Sequence, residues 1–127
     1  TLCATVHLEA GEENTSEAKF CVAKVVLNRL NDTDTWGYGS IQDVVYAPGQ
    51  FSVVHKKSFN SIKQRLQEGD FDENLLSSVM ASYFAYLGID LCVVESDVQY
   101  FNIDFGYSSW GGHKRAFACG GNCFYYK

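Results

Sequence analysis

The chain has 127 residues with one proline, eleven glycines and a hydrophobic share of 46%, the composition of a chain that buries one core, which excludes disorder and repeat arrays. Ten Lys and Arg against fifteen Asp and Glu leave a formal charge of -5; this argues against a sequence-independent grip on phosphate backbones and so against nucleic acid as a partner. No run of about 18 apolar residues is present to span a bilayer, and the first residues lack a basic, apolar, cleavable pattern.

In chain order, Leu2, Cys3, Val6 and Ala10 fall within about 100° of a helical wheel and predict a first helix over residues 2–10, with Glu9 on the edge of the stripe. Residues 11–15 read as a loop. Asn14 and, three residues later, Glu17 predict a capping box for a second helix that runs to about Leu30. This helix is apolar nearly all round, with Glu17, Lys24 and Asn28 as a narrow polar strip, and should be the central one. Residues 31–39 form a loop, Ser40 caps a short helix through Tyr46, and Pro48 and Gly49 close it. Residues 50–54 read as a short extended segment and residues 58–67 as a modest helix ended by Gly69. Asp72 then caps the clearest helix, in which Leu75, Leu76, Val79, Met80, Tyr83, Phe84 and Leu87 keep i, i+3, i+4 spacing until Gly88. Beyond it, residues 97–102 and 122–126 are aromatic and β-branched and predict two strands in a small antiparallel ribbon, separated by a Gly, Ser and Trp rich loop over 106–112. With no repeat or linker, the expectation is one domain over residues 1–127, of class α+β and mainly α.

Five cysteines stand at positions 3, 21, 92, 119 and 123, so at least one thiol stays unpaired within the monomer. Cys21 lies in an apolar helical pattern and reads as a small buried hydrophobe. Cys119 and Cys123 flank Gly120, Gly121 and Asn122, a turn that can bring them together, and theirs is the one bridge the spacing favours. His113, Cys119 and Cys123 lack the usual spacing of a zinc site and an evident fourth ligand, so no metal is expected.

Glu9 is the residue on which chemistry can be placed. A carboxyl on the rim of an apolar stripe is partly desolvated, which raises its pKa and suits a general acid. On spacing alone, however, a lone Glu near a helix C-terminus is more often a solvated surface residue. Gln50, Phe51 and Ser52 follow a Pro-Gly turn that can aim an amide and a hydroxyl into a cleft while Phe51 anchors the segment; Gln50 and Ser52 can equally serve loop backbone groups. Tyr100 offers an aromatic face for a pyranose and Asn102 an amide for its hydroxyls or N-acetyl group, although Tyr100 could equally be core. Trp110, in the glycine-rich loop, could line a cleft or pack in a satellite cluster beneath that loop.

The string His7-Leu8-Glu9-Ala10, then Val25-Val26-Leu27-Asn28-Arg29, then Val44-Val45-Tyr46-Ala47-Pro48-Gly49-Gln50-Phe51-Ser52, resembles the catalytic domain of SleB-type cell wall hydrolases, the spore cortex-lytic enzymes. Gln99-Tyr100-Phe101-Asn102 resembles the family's aromatic strand and Gly120-Gly121-Asn122-Cys123-Phe124-Tyr125 its closing motif. The resemblance implies a compact lysozyme-like domain that acts on peptidoglycan, with Glu9 as the sole catalytic carboxyl. It further implies a lytic transglycosylase that cuts between N-acetylmuramic acid and N-acetylglucosamine, needs no cofactor, and works outside the cell on vegetative wall or spore cortex, as a bacterial or a phage-encoded endolysin-like enzyme. The chain departs from the family pattern at His7-Leu8, where Tyr-Gly or Tyr-Ala is usual, and at Asn122 or Cys123, where a His is common. His7 beside the acid could alter its pKa. The negative charge sits oddly with an anionic wall and favours delivery by a targeting domain or partner protein. Glu12 and Glu13 are close enough in sequence to rival Glu9, but in a polar loop they read as solvated. Two other classes stay open: a peptidoglycan-binding module with decayed catalysis, and a cell wall peptidase using Cys3 or Cys21 with His7, His55 or His113.

Overall fold

A computed structural model describes residues 1–127. Its helices are α1 (Leu2–Ala10), α2 (Ser16–Asn31), α3 (Ile41–Tyr46), α4 (Lys57–Glu68) and α5 (Glu73–Leu87), with a 3-10 turn at Ser52–His55. Strands β1 (Val98–Ile103), β2 (Ser109–Trp110), β3 (His113–Cys119) and β4 (Asn122–Tyr126) form one antiparallel sheet in the order β1-β4-β3-β2. The class is α+β, mainly α, as expected.

The central helix is α2, because its side chains are apolar on every side but one: Phe20, Val22, Ala23, Val25 and Val26 are wholly buried, between α1, α5 and the sheet on one side and α3 on the other. Its N-cap is not Asn14. The hydroxyl of Thr15 accepts from the Ala18 amide at 3.1 Å. Asn14 instead donates to the carbonyls of Ala10 (2.8 Å) and Gly120 (2.9 Å), tying α1 to the β3–β4 turn. Asn28 also leaves the expected polar strip: it is buried and donates to the Glu95 and Val98 carbonyls at 3.0 and 2.9 Å, pinning the start of β1 on α2.

The cap of α5 is as expected, with the Asp72 carboxylate accepting from the Leu75 amide at 2.7 Å. From the row of large residues its buried face takes Leu75 in full and Val79 and Phe84 in part. Leu75, Ser78, Ala81, Ser82 and Ala85 pack inward, while Leu76, Met80, Tyr83 and Leu87 are exposed. Two apolar arcs share this helix, and the one made of small residues lets α5 approach α2 closely.

Residues 50–54 are not extended. Val53 and Val54 are both buried, and an extended chain would send consecutive side chains to opposite faces, so the segment winds into the 3-10 turn. The predicted ribbon is present, with Tyr100 opposite Tyr125 and Asn102 opposite Cys123. It is, however, only half of the sheet: the Gly-rich loop contains β2, and β3 follows it through Gly111-Gly112. A second Gly-Gly turn, Gly120-Gly121 (φ 58 and 80°), joins β3 to β4. Gly120 is doubly constrained, because a Cβ there would lie 2.5 Å from that of Ala18.

The expected Cys119–Cys123 bridge is overturned by this register. Cys119 pairs with Asn122 and Ala118 with Cys123, so the two thiols project from opposite faces of the hairpin, and all five cysteines are free.

Candidate active site

A cleft of about 430 Å³ opens where the C-terminal ends of α1 and α2 meet the 47–51 turn, β1 and the β2–β3 hairpin. Glu9, Gln50, Phe51, Tyr100, Asn102 and Trp110, six of the seven candidate residues, line it together with Arg29, Gly49, Phe101, Ile103 and Asn122. Ser52 does not; it is exposed at the start of the 3-10 turn. Glu12 and Glu13 are also outside, which leaves Glu9 as the one acidic side chain on the cleft wall.

Glu9 is the penultimate residue of α1, a helix fixed by buried Ala4 and Val6. Burial pushes its carboxyl above the ordinary range, against the opposing pull of Lys56, the Val53 amide and Arg29. The C-terminal end of a helix adds in the same sense, since it disfavours negative charge.

Arg29 forms the floor. It is 5% exposed, donates Nε to the Gln99 carbonyl at 2.7 Å and Nη1 to Gln50 Oε1 at 2.8 Å, and its guanidinium lies 5.0, 5.3 and 5.1 Å from the rings of Trp36, Phe51 and Tyr100. Gln50 is therefore oriented by an arginine rather than by loop backbone. Phe51 is buried and acts as the anchor of its turn. Tyr100 and Asn102, two residues apart on β1, share one face of the strand, and both line the cleft. The Tyr100 ring stacks on His113 at 3.9 Å, and His113 is held by a 3.0 Å contact of Nδ1 with the Tyr126 carbonyl. Trp110 leans on Tyr125 with ring centres 5.7 Å apart.

Arg29 and Asn122 are site residues that sequence reasoning placed in motifs without giving them a role. The signal for Arg29 was present: it falls on the same side of α2 as Val22, Val25 and Val26, and a cation on an apolar face needs partners other than water. For Asn122 the signal was only its place in the closing motif.

His7 does not act on Glu9. Two residues apart on a helix is about 200° of rotation, and His7 is buried on the opposite side, its Nδ1 2.6 Å from Ser78 Oγ. Ser78 donates its own proton to the Asn74 carbonyl, so Nδ1 carries the hydrogen and donates to Ser78. Neither Cys3 nor Cys21 is hydrogen-bonded to a histidine, as a cysteine peptidase pair requires, and burial pushes the Cys3 thiol up to about 11 and the Cys21 thiol up as well.

The cleft thus sets a carboxyl whose ionised form burial disfavours among aromatic rings and amides, an arrangement of the kind found in concave ligand-binding sites. Residues 13–125 match the model of the Cell Wall Hydrolase family, and the chain belongs to that family. Its substrate is accordingly peptidoglycan and its place of action the cell wall. No curated protein and no solved structure matches the chain. The match starts four residues after Glu9, so Glu9 is singled out by its position in the cleft, whereas the other lining residues lie inside the matched stretch. No helix is long and apolar enough to cross a membrane.

Proposed function

We propose that the chain cleaves the glycan strand between N-acetylmuramic acid and N-acetylglucosamine as a lytic transglycosylase, with Glu9 as both acid and base. The observation that carries this reading is that the cleft contains a single carboxyl, and that burial favours its protonated form. Cleavage of a glycosidic bond passes through an oxocarbenium-like transition state, so the leaving oxygen needs a proton and the anomeric carbon a nucleophile. Two-carboxylate glycosidases supply the second need with a partner about 5–9.5 Å from the first. With no second acid on the wall, the substrate provides it. Protonated Glu9 gives its proton to the leaving N-acetylglucosamine oxygen; the muramic acid 6-hydroxyl attacks the anomeric carbon; and ionised Glu9 takes the hydroxyl proton, leaving a 1,6-anhydro ring and a regenerated acid. Neither metal nor cofactor enters these steps.

The remaining groups bind. Tyr100 and Trp110 cover apolar sugar faces, and Gln50, aimed by Arg29, meets polar substituents together with Asn102 and Asn122. The formal charge of -5 repels an anionic wall, which supports delivery of the site by a targeting domain or partner protein.

The test is to incubate purified walls with the wild type and Glu9→Gln and to examine the soluble fragments by mass spectrometry. Anhydro-muramic ends from the wild type alone are expected. Ordinary reducing ends would make the enzyme a hydrolase with water as nucleophile. Walls bound but left intact by both proteins would leave a binding module.

A further inference from the structure

Outside the cleft, three of the five cysteines gather where α2, the segment between α5 and β1, and the end of β3 meet. Cys21 is 1% exposed on α2, and its sulfur lies 3.4 Å from that of Cys92; the Cys119 thiol faces the same sulfur from β3. Cys92 is half-buried, so one partner of the pair is open to solvent. From the geometry we propose that Cys21 and Cys92 are a disulfide-forming site, closed by a small-molecule or protein disulfide and opened by a thiol reductant, that clips the segment between α5 and β1 onto the central helix.

The placement gives the bond a structural task. Residues 88–97 contain no helix or strand and expose Ile89 and Val93. Their backbone is held at its ends, by Ile89 N–H to the Phe84 carbonyl (2.9 Å) and by Asn28 donating to Glu95 (3.0 Å), while Cys92 lies in the stretch between. Both arms of the clip lead into the cleft: α2 continues from Cys21 to Arg29, and the segment continues from Cys92 into β1 and Tyr100. An enzyme of the cell wall meets a more oxidising environment than the cytosol.

The exchange balances as two thiols and one external disulfide giving one protein disulfide and two released thiols. The Cys92 thiolate attacks a sulfur of the external disulfide and expels its first thiol; the Cys21 thiolate then attacks the Cys92 sulfur of the mixed disulfide and expels the second. The protein loses two electrons and two protons, and the electrons reduce the external disulfide. Since burial holds both thiols protonated, alkaline incubation speeds the reaction.

The full chain is therefore incubated with oxidised glutathione at mildly alkaline pH, denatured, and its thiols counted and mapped. The titratable count falls from five to three, a peptide pair joining Cys21 to Cys92 appears, and reduction lowers Tm by on the order of 10 °C, because the bond closes a long loop in the unfolded chain. Cys92→Ser, at a half-buried position, should retain four free thiols under the same treatment and a Tm indifferent to reductant. Five thiols after oxidation, a bridge mapped between Cys21 and Cys119 or between Cys119 and Cys123, or a Tm of the oxidised wild type that reductant does not move would each overturn the proposal. None of these readouts depends on which sugar bond the cleft cuts.

Discussion

The two faces of α1 present one physical situation with opposite outcomes. Glu9 and His7 are titratable groups two residues apart, both taken out of water by the same helix, and burial drives each toward its neutral form. On the rear face, His7 donates to Ser78, Ser78 donates to Asn74, and the wholly buried Lys19 donates to the Glu12 and Asn74 carbonyls, at 2.8 Å each. The donors of His7, Ser78 and Lys19 are all partnered, and they bind α1, the 11–15 loop and α5 together. On the cleft face Glu9 lies beside the open volume, with Arg29 as the one other charged side chain on the wall. Desolvation alone thus does not mark an active site. What separates the two faces is the open space beside Glu9.

The sharpest way to break this contrast is Glu9→Gln. Loss of a general acid predicts a fall in kcat of about 10²–10⁴-fold, read as release of soluble wall fragments. The same change removes a carboxyl whose ionised form the fold disfavours, so Tm at neutral pH should be equal to or above that of the wild type. A variant that lost activity and stability together would place Glu9 in the scaffold.

Lys19→Ala tests the rear face. It removes two charge-assisted hydrogen bonds from a buried site and orphans two carbonyls, with an expected cost of about 2–4 kcal/mol in denaturant unfolding. The activity of the fraction that remains folded should be unchanged, because Lys19 does not line the cleft. A next, smaller effect is expected for Arg29→Lys, which keeps the charge but cannot hold Gln50 and the Gln99 carbonyl at once. Roughly tenfold in kcat/KM is expected from the misplaced amide, with little change in fold.

These residues also mark how far the sequence could be read. The helices were legible because period, caps and terminal glycines agree: Asp72, Ser40, Gly69 and Gly88 all act where their chemistry places them. Six of the seven candidate residues meet in one cleft, Glu9 from the end of α1, Gln50 and Phe51 from the turn after α3, Tyr100 and Asn102 from β1, and Trp110 from the end of β2. The rest depends on which neighbour arrives. The choice between the two apolar arcs of α5 is made by how closely α2 can approach. The β2–β3 hairpin hides in a stretch whose glycines read as a loop until Gly111-Gly112 is seen to take the backbone of a tight hairpin. Lys19 and Asn28 look like surface residues on a helix because their acceptors come from 55 and 70 residues away. The pairing of Cys21 with Cys92 likewise spans 71 positions, whereas the suggested pairing of Cys119 with Cys123 followed nearness in the chain and failed on the alternation of strand faces.

The pH dependence of stability separates the two faces of α1 again. His7 is held below its ordinary value, first by burial and then by Lys19, with Arg65 acting in the same direction and Glu12 and Asp72 opposing. The folded state therefore takes up a proton less readily than the unfolded one. Stability is fully present above the unfolded pKa of about 6.5 and is lost as pH falls from there toward the folded value, at up to about 1.4 kcal/mol per pH unit. His7→Asn, whose amide can still donate to Ser78, should flatten this slope in thermal melts between pH 7.5 and 5. Glu9→Gln should leave the His7 slope intact, since Glu9 faces the other way.

The smallest expected effect lies at the cleft mouth. Trp110 is 38% exposed on a two-residue strand and is steadied by Tyr125 alone among the aromatic rings. Its removal leaves Glu9, Arg29 and Gln50 in place, so the chemical step should keep its rate while the glycan loses one stacking surface. Trp110→Ala should therefore raise KM about fivefold, equivalent to about 1 kcal/mol of aromatic contact, with kcat unchanged. Had Trp110 been a prop for the hairpin, its loss would instead lower Tm and loosen Tyr100 and Asn122 with it, and kcat would fall. The split between KM and kcat thus reads directly whether the outer wall of the cleft is a binding surface or part of the frame that holds the acid.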